Sequence, residues 1–437
     1  MPGRCVLIVL DGLGDRSYAS LDHMTPLQSA STTNLDALAE MGANGLYHAD
    51  RLGVALSSQD AHFALYGYDR AETLRRGILE AVGSGLEVGT NDVAVLGRLI
   101  TAERDNGILR IVDRRPPADP DRISGLMSCI DRYETNGIGF RFTQINQLEG
   151  ILILTGNVSP HITDTDPLCN GLPAPSVKPF SPHESDPAAQ ATARALTEYL
   201  IWVHRTLSEH PLNRAGTARG EMPLNAMITH LADGLRPIEP FRERWGLAAL
   251  SISPKLVQWG VSRSLGMDTA RVKDSRDPGK DIADRITLAV HKLPQYEFIH
   301  VHSMAPDQAA HTKNPLTKRS VIEALDAGIG RAIGPLLSNP DVLLAVTADH
   351  STPSGGPLIH SGEPVPMVFV GQGVRRDAVR ALDEIQCASG ALGTVRGREF
   401  MLMVLNYLDR CKLRGIMQSP RDRDFWPGDY EPFRIED

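Results

Sequence analysis

Long apolar runs are missing from this sequence. The longest, such as Val6 to Leu10 and Ile151 to Leu154, are strand-sized and fall well short of a bilayer span. The N-terminal MPGRCVLIVLDG holds too short an apolar stretch for a signal-peptide core and has no small-residue cleavage site. A cytoplasmic chain without a membrane partner is therefore expected. Cysteine is scarce: Cys5, Cys129, Cys169, Cys387 and Cys411 are odd in number and far apart. That spacing excludes a zinc knot or a paired redox motif and leaves them as reduced packing residues. Blocks of one charge are absent too. With 45 Lys+Arg interspersed among 53 Asp+Glu and a net charge of -8, there is no electrostatic footprint for nucleic acid or an anionic membrane, so small-molecule partners are expected. Aromatic residues make up only 5%, yet hydrophobic residues reach 42%, which excludes disorder and fibre.

What is present has the texture of an α/β protein. Val6 to Leu10 is a continuous β-branched run ending in Asp11-Gly12, and Asn34 to Met41 has apolar residues at helical spacing. The pattern returns at Tyr296 to His302, Val342 to Thr347 and Pro366 to Val370. Strands alternating with helices predict a doubly wound, mostly parallel sheet. Between about residues 70 and 180 the segments become short and alternating (Asp92 to Thr101, Ile108 to Asp113, Ile138 to Thr143, Ile151 to Thr155), with one helix near Asp121 to Ile130. This texture predicts a small inserted α+β domain. Pro173 to Pro187 reads as a connector, and the periodic stretch Ala188 to Glu209 is expected to return the chain to the core. The expected division is a discontinuous core, residues 1–69 plus 185–437, with an insertion over 70–184.

Four segments place metal-ligand residue types just after an expected buried strand. They are Asp11-Gly12, Asp307 with His311, Asp349-His350, and His360 in His360-Ser361-Gly362. Each alone is commonplace: Asp-Gly makes turns, and Asp-His pairs sit in loops. Their joint appearance at strand ends is not, because ligands of open α/β sheets bind beyond the carboxyl ends of the strands. Asp307 and His311 are four apart, so on a helical turn they share a face. Three Asp and three His exceed the three or four ligands of one zinc and suit two divalent ions, which about 3.5 to 4 Å apart can serve phosphoryl transfer. A hydroxyl nucleophile is offered by Ser57-Ser58, just before the helical run Ala61 to Leu65, where the positive helix end favours an anion. Such serines are also common helix caps, and spacing alone does not choose between them.

Taken together, Asp11-Gly12-x-Gly14-Asp15, Thr25-Pro26-Leu27, Ser58-x-x-Ala61-His62, Gly67-Tyr68, Ile162-Thr163-Asp164-Thr165-Asp166-Pro167, Ala305-Pro306-Asp307-x-x-x-His311, Thr347-Ala348-Asp349-His350-Ser351-Thr352-Pro353 and His360-Ser361-Gly362-x-Pro364-Val365-Pro366 resemble one family. It is the archaeal-type, cofactor-independent phosphoglycerate mutases of the alkaline phosphatase superfamily, and the resemblance covers nearly the whole chain. It implies a phosphatase-like core with two divalent metals (Mn, Zn, Co or Mg). Asp307, His311 and His360 resemble the ligands of one ion, and Asp11, Asp349 and His350 those of the other. Ser58 resembles the phosphoserine nucleophile, which also coordinates metal. A small phosphorylated metabolite, 3-phosphoglycerate, is the implied substrate, and the insertion resembles the family's substrate-orienting domain, with Arg76, Arg115, Asp164 and Asp166 as its substrate-binding residues.

The insertion and its surroundings also depart from the family pattern. Leu96, Glu149 and Gly216 stand where arginines are expected, Pro117-Ala118 replaces Gly-Arg, Leu168 replaces a histidine and Met304 a lysine. Charged hydrogen bonds are worth about 1.5 to 3 kcal/mol each, so three uncompensated losses would cost on the order of 5 kcal/mol. Arg75, Arg98 and Arg114 are near enough in sequence to compensate. Three functions follow: a phosphoglycerate mutase; a phosphatase or phosphotransferase, homoserine-kinase-like for example, on another small hydroxylated metabolite; or a catalytically silent binding paralogue. Retention of every metal-site residue argues against silence. The oligomeric state is left open.

Overall fold

The computed structural model of the protein describes residues 1–428 and 430–435. In chain order the strands are β1 (Arg4–Leu10), β2 (Ala43–His48), β3 (Val93–Asp105), β4 (Ile108–Asp113), β5 (Arg132–Thr135), β6 (Ile138–Gln144), β7 (Glu149–Thr155) and β8 (Ala226–Gly234). They continue with β9 (Ala249–Ser253), β10 (Asp268–Arg271), β11 (Phe298–Ser303), β12 (Val342–Thr347), β13 (Val365–Val370) and β14 (Gly393–Arg396). The chain divides into two compact units, Met1–Thr73 with Ile238–Asp437, and Leu74–Pro237.

The first unit holds an eight-stranded sheet in the order β10-β9-β11-β1-β12-β13-β2-β14. Its neighbours pair in parallel except on either side of β13. β1 is central because every residue from Cys5 to Leu10 is apolar and fully buried, as a strand covered on both faces requires. Its register sets the site. Val9 lies opposite His302 of β11 and Thr347 of β12, and Leu10 opposite Ser303, so the loops after these three strands leave the sheet side by side. The helices Pro278–Lys292 and Pro315–Ala332 pack on each other. Both begin with proline after a capping residue, Asp277 or Asn314, whose side chain accepts from first-turn N–H groups, which sharply defines where each helix starts.

The chain ends that lead out of this unit and back are held together. The Tyr68 hydroxyl donates to the Glu239 carbonyl over 2.8 Å, Arg244 pairs with Glu72 at 2.5 and 2.9 Å, and its guanidinium lies 4.0 Å from the Tyr68 ring centre.

The second unit is an antiparallel sheet, β4-β3-β7-β6-β5, with β8 also paired to β3. The 13-residue β3 pairs with β7 and β8 over its first half and with β4 beyond Thr101. The helix Pro187–Glu209 covers the sheet with Ala193, Leu196, Tyr199, Val203 and Leu207, an apolar stripe at helical spacing. Tyr199 stacks on Phe140 at 5.0 Å, and its hydroxyl reaches the Ile130 carbonyl at 2.9 Å.

The expected return to the core at residue 185 is corrected here. That helix and β8 belong to the second unit, because β8 pairs with β3 from Val93 to Ile100 and the helix fills the same core. The cysteines need a smaller correction. All five are free, and Cys5 and Cys387 are buried, but Cys169 and Cys411 are exposed and are not core residues. Among the described residues no helix is long and apolar enough to cross a membrane.

A fragment of residues 74–237 should therefore melt cooperatively by circular dichroism, whereas 70–184, lacking β8 and its covering helix, should not. A cooperative melt of the shorter fragment would contradict this assignment.

Candidate metal centre

The loop after β1 begins with Asp11 and turns at Gly12, whose φ is +65°. A Cβ at Gly12 would lie 2.6 Å from Thr352 Oγ1 and 2.9 Å from Asp307 Cβ, so only glycine lets three ligand-bearing segments close together. The Gly12 N–H and the His350 N–H both donate to Asp349 Oδ1, at 3.2 and 3.0 Å. This fixes Asp349 against the β1 loop. Asp307 sits in the short helix Ala305–His311, where Pro306 is tolerated because it falls in the first turn.

The side chains gather into two triads, Asp11–Asp349–His350 and Asp307–His350–His360, each with its ligand atoms within 4.8 Å of one another. His350 is common to both. Its ring stacks on His360 at 3.8 Å, and its Nε2 lies 3.4 Å from Asp11 Oδ1 and 3.3 Å from Asp349 Oδ2. His360 turns Nδ1 to the Leu56 carbonyl at 2.7 Å, which leaves Nε2 bare toward Asp307 Oδ1 at 3.6 Å. A histidine so held is ready to ligate. His311, the most exposed of the set, approaches Asp307 Oδ2 at 3.3 Å but is in neither triad.

Behind the ligands lies a polar layer that sequence patterning did not single out as functional. His302 places Nε2 3.0 Å from Asp11 Oδ2, and burial holds its basicity well below the usual range, so the ring is a neutral donor. His62 directs Nδ1 to the Ser58 carbonyl at 2.7 Å and lies 3.3 Å from Asp349 Oδ2. Thr352 bridges Asp307 Oδ1 at 2.9 Å and His350 Nδ1 at 3.1 Å. The only local signals were the spacing of His62 four residues after Ser58 and the position of His302 at a strand end.

The carboxylates are strained electrostatically. Burial, then the charges of Asp349 and Asp307, push the Asp11 carboxyl well above its normal range. Burial acts likewise on Asp349 and Asp307, but the histidines facing them hold both below that range. Burial also depresses His350, to about 4, leaving it neutral as a ligand must be. Asp11 Oδ1 and Asp349 Oδ2 are buried without a hydrogen bond. Bare, buried carboxylate oxygens facing imidazole nitrogens are a donor set that a divalent cation satisfies.

The two adjacent serines separate in the structure. Ser57 is the cap of the helix Ser58–Leu65, accepting from Asp60 N–H, and its hydroxyl donates to Asp60 Oδ2 at 2.8 Å. Ser58 opens the helix with Oγ 3.0 Å from His350 Nε2, beside the ligand that both triads share.

Residues 3–407 match the family model described as the metalloenzyme superfamily. The chain is 37% identical to 2,3-bisphosphoglycerate-independent phosphoglycerate mutase 2 of Methanocaldococcus jannaschii, over 98% of each chain, and 34% identical to the mutase of Methanopyrus kandleri over 94% of this chain and 98% of that one. It belongs to this family. The solved structure titled as the cofactor-independent phosphoglycerate mutase of Thermoplasma acidophilum superposes with a TM-score of 0.65 at 30% identity, covering 93% of this chain and 99% of that one. A Pyrococcus horikoshii protein superposes with a TM-score of 0.77 at 27% identity, covering 94% and 99%. With the donor set above, family membership makes this a centre for divalent metal.

The remaining expected residues lie in the second unit, where phosphoglycerate-mutase-family arginines were expected to meet substrate. Arg76 donates to the buried Glu80 at 2.5 Å. Asp166 is gripped by Arg114 at 2.8 and 2.5 Å, and His230 lies 3.4 Å from it. Asp164 accepts from the Leu231 N–H at 2.8 Å. Arg115 is exposed and carries no ion pair among the described residues. Of the neighbours expected to compensate for lost arginines, Arg98 is bound to Glu149, Arg114 to Asp166, and Arg75 lies over Phe180 at 5.5 Å.

Gly12→Ala should cost at least about 2 kcal/mol of stability from backbone strain alone and loosen metal binding; a variant with native melting and native metal uptake would contradict the packing described. A second expectation concerns Glu384, whose carboxylate accepts from Thr25 Oγ1 at 2.8 Å and Asp15 N–H at 3.1 Å and is raised by burial from 4.5 to about 7. An acid raised in the folded state holds more protons there than when unfolded, so its contribution is lost as pH rises across that window. Glu384→Gln should flatten the fall in stability between about pH 4.5 and 7, read by denaturant unfolding of metal-free protein. An unchanged slope would refute it.

Proposed function

We propose that this chain interconverts 3-phosphoglycerate and 2-phosphoglycerate, moving the phosphoryl group through Ser58. One observation carries the proposal. The Ser58 hydroxyl stands at a helix N-terminus, 3.0 Å from the histidine shared by both ligand triads, in a chain 37% identical to a named mutase. Asp11, Asp349 and His350 would hold one divalent ion, and Asp307, His311 and His360 the other. Bound Mn, Zn, Co or Mg supplies positive charge that favours the serine alkoxide and offsets charge on the phosphoryl oxygens.

The chain's own residues supply the rest. Ser58 forms a bond to phosphorus as the bond to the substrate's 3-oxygen breaks and that oxygen takes up the serine's proton; the 2-hydroxyl of the same glycerate then attacks the phosphoserine, the bond from Ser58 Oγ to phosphorus breaks, and the 2-hydroxyl's proton returns to Ser58. The helix beginning at Ser58 directs its positive end at the transferring group. His62 fixes the Ser58 carbonyl, so the hydroxyl keeps its direction between the two transfers. In the second unit Arg115 is exposed and in no ion pair among the described residues, which leaves it available to an anion, while Asp166 orders Arg114. Water must be kept from the phosphoserine, since hydrolysis would release phosphate instead of isomer.

A second reading, transfer to or from another small hydroxylated metabolite, is favoured by the pairing of Arg76, Arg98 and Arg114 with Glu80, Glu149 and Asp166. Three guanidiniums matched by three carboxylates leave little net charge for a polyanion.

Phosphorus NMR of the metal-loaded protein with 3-phosphoglycerate should show 2-phosphoglycerate appearing. Free phosphate instead would make the chain a phosphatase, and no change would favour the second reading. Ser58→Ala and Asp349→Ala should each lower turnover by about three orders of magnitude or more with the melting profile retained, and full activity in either would sink the phosphoserine route. Chelation should abolish turnover and added Mn, Co or Zn restore it; turnover that persists in excess chelator would contradict the metal dependence.

A further inference from the structure

Lys318 lies in the middle of the first unit, on the helix Pro315–Ala332, with none of its surface exposed. A lysine is almost never fully buried unless its ammonium is paired, and its three N–H groups need three acceptors. All three are present: the Gly14 carbonyl at 2.9 Å, the Thr352 carbonyl at 2.8 Å and Asp15 Oδ2 at 3.1 Å.

Each acceptor leads to a ligand loop. Gly14 and Asp15 lie three and four residues after Asp11. Thr352 follows His350 by two, donates its N–H to the Gly14 carbonyl at 2.9 Å, and bridges Asp307 and His350 through its hydroxyl. Asp15 is itself anchored, accepting from the Ser354 N–H at 3.1 Å, the Ser354 hydroxyl at 2.6 Å and the Tyr18 hydroxyl at 2.7 Å. The helix that carries Lys318 follows directly on the one that carries Asp307 and His311. The ammonium is thus bonded to the loop of Asp11 and to the loop of Asp349 and His350, from the helix that directly follows the one bearing Asp307 and His311.

We infer that Lys318 is a positioning residue that fixes the two ligand groups of the metal centre relative to each other. It touches neither substrate nor metal ligand. Its effect runs through Gly14 and Thr352, whose carbonyls tie the ammonium to the two ligand loops. The inference rests on the metal-centre reading and not on the identity of the substrate.

The test is cobalt(II) titration of the full-length, metal-free chain, followed by visible absorption. In the double variant Lys318→Met with Asp15→Asn, no unpaired charge is left buried, so melting without metal should stay close to that of the native chain. Cobalt affinity should nevertheless fall by about 10- to 100-fold, the usual effect of removing an outer support, with an altered absorption band. Native affinity and band shape in this variant would overturn the inference. If the double variant does not fold, Thr352→Val cuts the link from the anchored loop to Asp307 and His350 while keeping Lys318 and Asp15 paired; it should weaken cobalt similarly, and native binding would again overturn the inference. A native chain that takes up no cobalt refutes it together with the metal reading. Normal cobalt uptake without turnover of 3-phosphoglycerate would fail only the proposed activity.

Discussion

Three carboxylates, Asp11, Asp307 and Asp349, are brought out of water within reach of one another, and the structure around them follows from that repulsion. Each is at most 4% exposed, and no lysine or arginine reaches them directly among the described residues. Burial and mutual charge push the Asp11 carboxyl well above its usual range. The protein meets the three with imidazoles and with N–H and hydroxyl donors, leaving oxygens of Asp11 and Asp349 without a hydrogen bond. A guanidinium in the same place would satisfy the carboxylates and abolish the site, and Lys318 is held one layer back on carbonyls and Asp15.

Much of this was legible in the sequence, for definite reasons. β1 and β12 are almost wholly apolar, β-branched runs, and a chain with ligand types just beyond such strands has few other folds open to it. β2, with its sequence ANGLYH, and β9, ALSIS, were not legible. They are strands because of what they pair with, and their own residues favour that state weakly. The helix Pro187–Glu209 shows the same limit differently. Its periodicity reveals which face is buried but not against which sheet, so it was assigned to the wrong unit. Lys318 was invisible for a third reason: on a helix surface most lysines face water, and only the tertiary arrangement shows that this one does not.

At the centre, the candidate residues were visible as ligand types, and their sharing was not. The family resemblance implied two sets of three, whereas the structure places His350 in both clusters and leaves His311 at the rim. Likewise Ser57 and Ser58 were equivalent by spacing and become distinct once one hydroxyl is occupied in capping. In the second unit the replaced arginines were visible as absences. That Arg98 is matched internally by Glu149 could not be read without the pairing of β3 with β7, which sets the two opposite each other.

The clamp of Tyr68 on Glu239 and Arg244 on Glu72 has a consequence for how such a protein diversifies. Because the outgoing and returning chains are fastened within the first unit itself, that unit has no need of the intervening residues to keep its ends in place. The segment between them is a cassette. It can gain, lose or exchange side chains, and in lineages its whole architecture, while the metal centre keeps its geometry. A change of side chain in that cassette then leaves the fastening of the first unit undisturbed.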